Sequence, residues 1–184
     1  MQNKAIETFK LNKIEFLIMP EKTKVMSTAI KHKGIFSLDE LYKAIKEWLN
    51  FEGYGDESKT FIEDLYVERI KGDSKQIEIR WKAEKFAGEY FSNVIKITYY
   101  VLGLQDVEIE IDGRKIGTQK LDLTLKLSAE LVRNRQDKFK SDFIRNLYEK
   151  YIIKERINDA EGALYNKAYG LADEIKRFLE LRTA

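Results

Sequence analysis

Three carboxylates are the first residues here whose type and spacing could do chemistry. Glu108 and Glu110 alternate with Val107, Ile109 and Ile111, so on a strand they share a face, about 7 Å apart. Asp122 follows after a short return, and three converging carboxylates could hold a hard cation or do acid–base work. The competing account is a solvated strand face with Arg114 and Lys126 as cross-strand partners, and we prefer it. His32 is the single histidine; within Lys31-His32-Lys33 it reads as part of an exposed basic tripeptide rather than a general base. Without Cys there is no thiolate zinc site, iron–sulfur ligand, disulfide or cysteine nucleophile. No Ser stands in a nucleophile elbow, and Gly53-x-Gly55 and Gly113-x-x-x-Gly117 lack the context of a phosphate loop. We therefore expect no catalytic residue, metal site or cofactor.

Binding chemistry has more candidates. Arg133, Arg135, Lys138 and Lys140, with Arg145 against Asp137 and Asp142, give residues 133–145 a local charge of +3. Residues 1–36 carry a local +4, yet the whole chain balances 33 Lys and Arg against 31 Asp and Glu, for a net +2. That balance demands neither nucleic acid nor an acidic membrane. On the expected polar sheet face, Lys82, Lys85 and Lys96 are joined by Glu78, Glu84, Glu108, Glu110 and Asp122, a mixed track that disfavours nucleic acid. Tyr90, Tyr99 and Tyr100 could line a ligand pocket between sheet and helices, with ordinary packing as the alternative.

The elements that would position these residues follow from hydrophobic period. Ile14, Phe16 and Ile18 alternate before Pro20, as in a short strand; Val25, Met26, Ala29, Ile30, Ile35 and Phe36 form another strand or an irregular arm. Ser37 and Glu40 make a capping box, and Leu38, Leu41, Tyr42, Ile45, Trp48 and Leu49 predict a helix over 38–50, ended by Gly53 and Gly55. The period then falls to two. Strands are expected at 61–71, 76–85, 90–102, 107–111 and 115–131, with turns at Lys71-Gly72-Asp73-Ser74 and Asp112-Gly113. Phe139, Phe143, Ile144, Leu147, Tyr148, Tyr151 and Ile152 return to helical spacing near 136–157. Asn158 with Glu161 reads as a new cap for a last helix over 159–182. The fold class is α+β: an antiparallel meander of about five or six strands, with one N-terminal and two C-terminal helices covering its apolar face. Residues 37–184 read as one domain, with 1–36 an arm or strands belonging to it or packed on it.

A short strand, a helix, a meander and a long C-terminal helix resemble, over roughly residues 14–182, the START-like helix-grip fold. That resemblance implies a sheet wrapped around the last helix and a cavity for lipids or other apolar ligands. The chain departs from it in having two C-terminal helices and one helix after the first strand. The stretches Leu41-Tyr42-Lys43-Ala44-Ile45-Lys46-Glu47-Trp48-Leu49 and Glu78-Ile79-Arg80-Trp81-Lys82-Ala83-Glu84-Lys85 are similar to small archaeal α+β proteins, a likeness that implies no activity. Abundant Lys, Glu, Ile and Tyr with a single Pro fit either a hyperthermophile or a low-GC genome.

Two long amphipathic helices at the C-terminus offer more surface than the sheet needs. The expected function is a non-enzymatic module that binds a protein partner or associates with itself. The alternatives are a carrier of an apolar small molecule or lipid, and a carboxylate-dependent enzyme needing Glu108, Glu110 and Asp122 in one cleft. No apolar run approaches the ~20 residues that span a bilayer, and Met-Gln-Asn-Lys-Ala-Ile-Glu has no signal-peptide core. Together with the lack of Cys, this makes the cytoplasm the expected location.

Overall fold

Alternating apolar and charged residues build a sheet that is oily on one side and wet on the other. The computed structural model describes residues 21–55, 61–111, 114–139 and 141–182. The expected strand around Ile14, Phe16 and Ile18, the Asp112-Gly113 turn and Lys140 lie outside them. Five antiparallel strands are present: β1 (Glu21–Ile35), β2 (Phe61–Lys71), β3 (Ser74–Ala87), β4 (Phe91–Ile111) and β5 (Arg114–Arg133). Their order is β1-β5-β4-β3-β2. Strands β2 to β5 form the meander, and β1 adds to the free edge of β5, with Ile30 opposite Leu125 and Thr28 opposite Leu127. The segment expected as a second strand or an irregular arm is therefore a full member of the sheet.

Three helices accompany the sheet: α1 (Leu38–Phe51), α2 (Asp142–Tyr151) and α3 (Lys154–Arg182). The Ser37 hydroxyl accepts from the Glu40 amide at 3.2 Å, which satisfies one orphan donor of α1. Gly53, at φ +82, takes the left-handed turn that ends the helix. Leu38, Leu41, Ile45 and Leu49 turn inward against Trp81, Tyr99 and Leu123. The C-terminal half of α3 adds Leu171, Ala172, Ile175 and Leu179 to this main core. Its N-terminal half covers a second cluster, in which Ile157, Leu164 and Ala168 meet Phe91, Ala129 and Leu131. Both C-terminal helices pack on the sheet, and α3 supplies the apolar cover. The expected helix boundary is displaced: α2 stops at Tyr151, α3 starts at Lys154, and Asn158 lies within α3 rather than capping it. Ile153 is buried in the second cluster at the break, so the chain turns where that side chain enters the core.

One further difference decides which residues share a face. The segments expected as separate strands at 90–102 and 107–111 are a single strand, β4. Leu102 pairs with Asp122, and the next pair is Gln105 with Lys120, so β4 holds one extra residue there. Gly103, at φ +63, supplies the left-handed step of this bulge. A one-residue slip exchanges the two faces of everything that follows. Beyond it, Glu108 stands opposite Gly117, two residues from Gln119, whose side chain accepts from the Leu38 amide of α1 at 3.1 Å. Glu108 and Glu110 are thereby turned to the helix side. Asp122 remains on the open side.

Candidate functional site

Helix α2 is built inside out. Its buried residue is Glu149, 7% exposed, while Phe143 is 75% exposed and Tyr151 and Ile152 are each 70% exposed. Ile144 and Leu147 complete the outward strip and are also more than half exposed. Residues 143, 147 and 151 recur every fourth position, and 144 falls beside 147 and 151, so they form one continuous stripe. Arg145 and Glu149, also four apart, occupy the opposite side. A helix in water ordinarily hides the first set and shows the second.

The reversal has an electrostatic cause. Arg133, at the end of β5, is 15% exposed in its side chain and needs a carboxylate. Its guanidinium donates to Glu149 at 3.0 Å and to Glu21, at the start of β1, at 2.5 Å. The Tyr90 hydroxyl donates to the other Glu149 oxygen at 2.6 Å. Arg145 bridges Asp142 at 3.0 Å and approaches Glu21 at 3.8 Å. Burial, then the bond to Glu149, raises the Tyr90 pKa well above its ordinary value, so this hydroxyl stays a donor. Tyr90 meets Phe139 and Tyr148 edge-on beside the network, with Tyr90 and Tyr148 centroids 5.8 Å apart, and Phe139 lies tilted over Tyr148 at 4.9 Å. The connection before α2 is fixed by Asn134, buried and at φ +52, whose side-chain oxygen accepts from the Lys138 amide at 3.0 Å.

The expected binding residues are distributed differently. Tyr99 is fully buried in the main core beside Trp81, at 5.1 Å between rings. Tyr100, its neighbour in sequence, points to the open side with Lys126 4.9 Å above its ring. Tyr90 belongs to the Glu149 network. Adjacent strand residues face opposite ways, so these three tyrosines do not line a common pocket. The basic set is also divided. Arg133 is ion-paired, Arg135 stacks 3.9 Å over Phe86, and Lys138 pairs with Glu89. His32 is not in an exposed tripeptide: Lys31 and Lys33 point out, whereas His32 turns to the helix side, half-buried and edge-on to Phe36 at 5.6 Å. The carboxylate trio is split by the bulge, and Glu108 approaches Lys115 at 3.8 Å. No group of three His, Asp or Glu suited to a metal ion occurs among the described residues.

An apolar groove of about 330 Å³ opens between α1 and α3, lined chiefly by Leu41, Ile45, Trp48, Leu171, Ile175 and Phe178. None of the three expected tyrosines reaches it. Among the described residues no helix is long and apolar enough to cross a membrane.

Sequence periodicity identified the α2 apolar set but assigned it to the core. The missed signal lay in Arg133, a cation at the inner end of a strand, with Glu149 as a partner from the next helix. No protein-family model matches the chain, and no curated protein matches it. Among solved structures it is similar to an uncharacterized protein from Rhizobium leguminosarum, at 6% identity over 89% of this chain and 99% of that one, with a TM-score of 0.23. A likeness at that score carries no argument about fold or function.

Proposed function

We propose that this chain is a binding module that pairs with a second copy of itself through the outward face of α2. The carrying observation is that Phe143, Leu147 and Tyr151 face water while Glu149 is buried. Each large apolar side chain taken from water contributes roughly 1.5–3 kcal/mol. Four of them per copy compete with an association cost of roughly 4–15 kcal/mol, which suits a dimer on the order of micromolar. A two-fold axis brings the same stripe against itself. Antiparallel pairing sets the Asp142 end of one helix against the Lys150 end of the other and opposes the helix dipoles. We place the module in the cytoplasm, in keeping with a chain that lacks Cys.

Sedimentation equilibrium tests this. The native chain should dimerise, and Leu147→Glu should be monomeric with an unchanged circular dichroism spectrum, since Leu147 supports no core contact. A native chain that stays monomeric at hundreds of micromolar overturns self-pairing, as does a Leu147→Glu variant that dimerises normally. A second reading, an apolar small-molecule carrier, is favoured by the groove between α1 and α3 alone. It expects a co-purifying ligand in native mass spectrometry that Ala44→Trp, which fills the groove, removes.

A further inference from the structure

The open side of the sheet carries a charge pattern that depends on the bulge in β4. Strand register places Lys31, Lys33, Arg80, Lys82, Lys96 and Lys126 there together. Arg80 is neutralised by Glu78 at 2.5 Å and Lys96 by Glu130 at 2.8 Å. Glu84 on the same side accepts from Ser92 at 2.5 Å. No described carboxylate lies within ion-pair distance of Lys31, Lys33, Lys82 or Lys126. Glu108 and Glu110, which would have made this a mixed track, are on the far side of the sheet. Asp122 is the remaining carboxylate among them, next to Lys33 in register.

In the middle of the cations stands Tyr100, partly buried, with Lys126 4.9 Å over its ring. Thr98, Thr124 and Ser128 fill the positions between. A cationic surface with an aromatic ring among its lysines is the composition that holds single-stranded nucleic acid: lysines meet phosphates, and a base stacks on the ring once the lysine above it turns to a phosphate. A duplex keeps its bases stacked internally and offers that ring nothing. We infer that the open sheet face binds single-stranded nucleic acid, with Lys31, Lys82 and Lys126 against phosphates and Tyr100 as the stacking platform. This surface is independent of α2, so either proposal can fail alone.

Fluorescence anisotropy with a labelled oligothymidylate of about twenty nucleotides tests it. Binding should weaken linearly with the logarithm of salt, by about 0.7 per phosphate contacted. The pair Lys31→Gln and Lys126→Gln should lower affinity at least tenfold at low salt and flatten the slope. Tyr100→Leu, which keeps the strand packed, should cost at least fivefold. Leu147→Glu should bind as the native chain does. The inference is overturned if the native chain does not bind at low salt or if the lysine pair changes nothing. It is also overturned if polyglutamate competes as well as oligothymidylate while Tyr100→Leu has no effect, because the face then selects an acidic polypeptide.

Discussion

Glu149 does the opposite of what a charged helix residue ordinarily does, and the consequences are measurable. Truncation by Glu149→Ala leaves Arg133 with Glu21 alone and the Tyr90 hydroxyl without an acceptor. Removing one partner of a buried charge pair costs several kcal/mol; with Glu21 retained we expect about 2–3 kcal/mol. Urea denaturation should show a lower midpoint with an unchanged slope, and an unaltered midpoint would contradict the network. Tyrosines offer a second residue-scale test. Burial first, and then the bond to Glu63, pushes the Tyr42 pKa up to about 12; burial does the same for Tyr54. In the unfolded chain both ionise near 10. Their contribution to stability is therefore complete below pH 10 and lost between pH 10 and about 12, where only the unfolded state releases the proton. Absorbance titration of the ten tyrosines should resolve a late class that merges with the rest in urea; a single folded-state step near pH 10 would contradict it.

Elements were legible in proportion to how local their causes are. The α1 cap at Ser37 and the alternation of β3 and β5 stand in the sequence because hydrogen-bond geometry and burial impose them residue by residue. The bulge in β4 was not legible, since Gly103 has no alternation to announce it, and the face of Glu108 and Glu110 reversed with it. Substitution can test that glycine. Gly103→Ala must adopt φ +63 in open space, so the cost is conformational alone, about 1 kcal/mol. Gly162→Ala and Gly170→Ala on exposed turns of α3 also meet nothing, and each should stabilise by up to about 1 kcal/mol. Thermal melts should move by about 2–4 °C per kcal/mol, downward for the first and upward for the others. A Gly103→Ala melt equal to the native one would remove the bulge as a glycine-dependent device. The orientation of α2 was illegible for a different reason: a 3–4 apolar spacing states that a helix has two sides but not which one its neighbour takes.

At the scale of the molecule, the sheet divides labour between its two sides. One side holds α1 and α3 over two apolar clusters, and the other stays open and cationic. That division was readable from the change of period at residue 61 and the return of helical spacing after residue 131. Its candidate sites were not, because both are assembled from strands distant in sequence: Glu21 beside Arg133 where β1 starts and β5 ends, and Lys31 two strands from Tyr100 across β5. Helix α2 projects from the junction with its apolar stripe uncovered, and what covers it decides what the molecule is for. A chain without Cys allows one introduced thiol to report on that stripe alone. Leu147→Cys should form an interchain disulfide under mild oxidation, because paired helices approach to about 8–10 Å, while Ala163→Cys on an exposed turn of α3 should not. Equal cross-linking of the two variants, or none by Leu147→Cys at concentrations well above micromolar, would contradict pairing through α2.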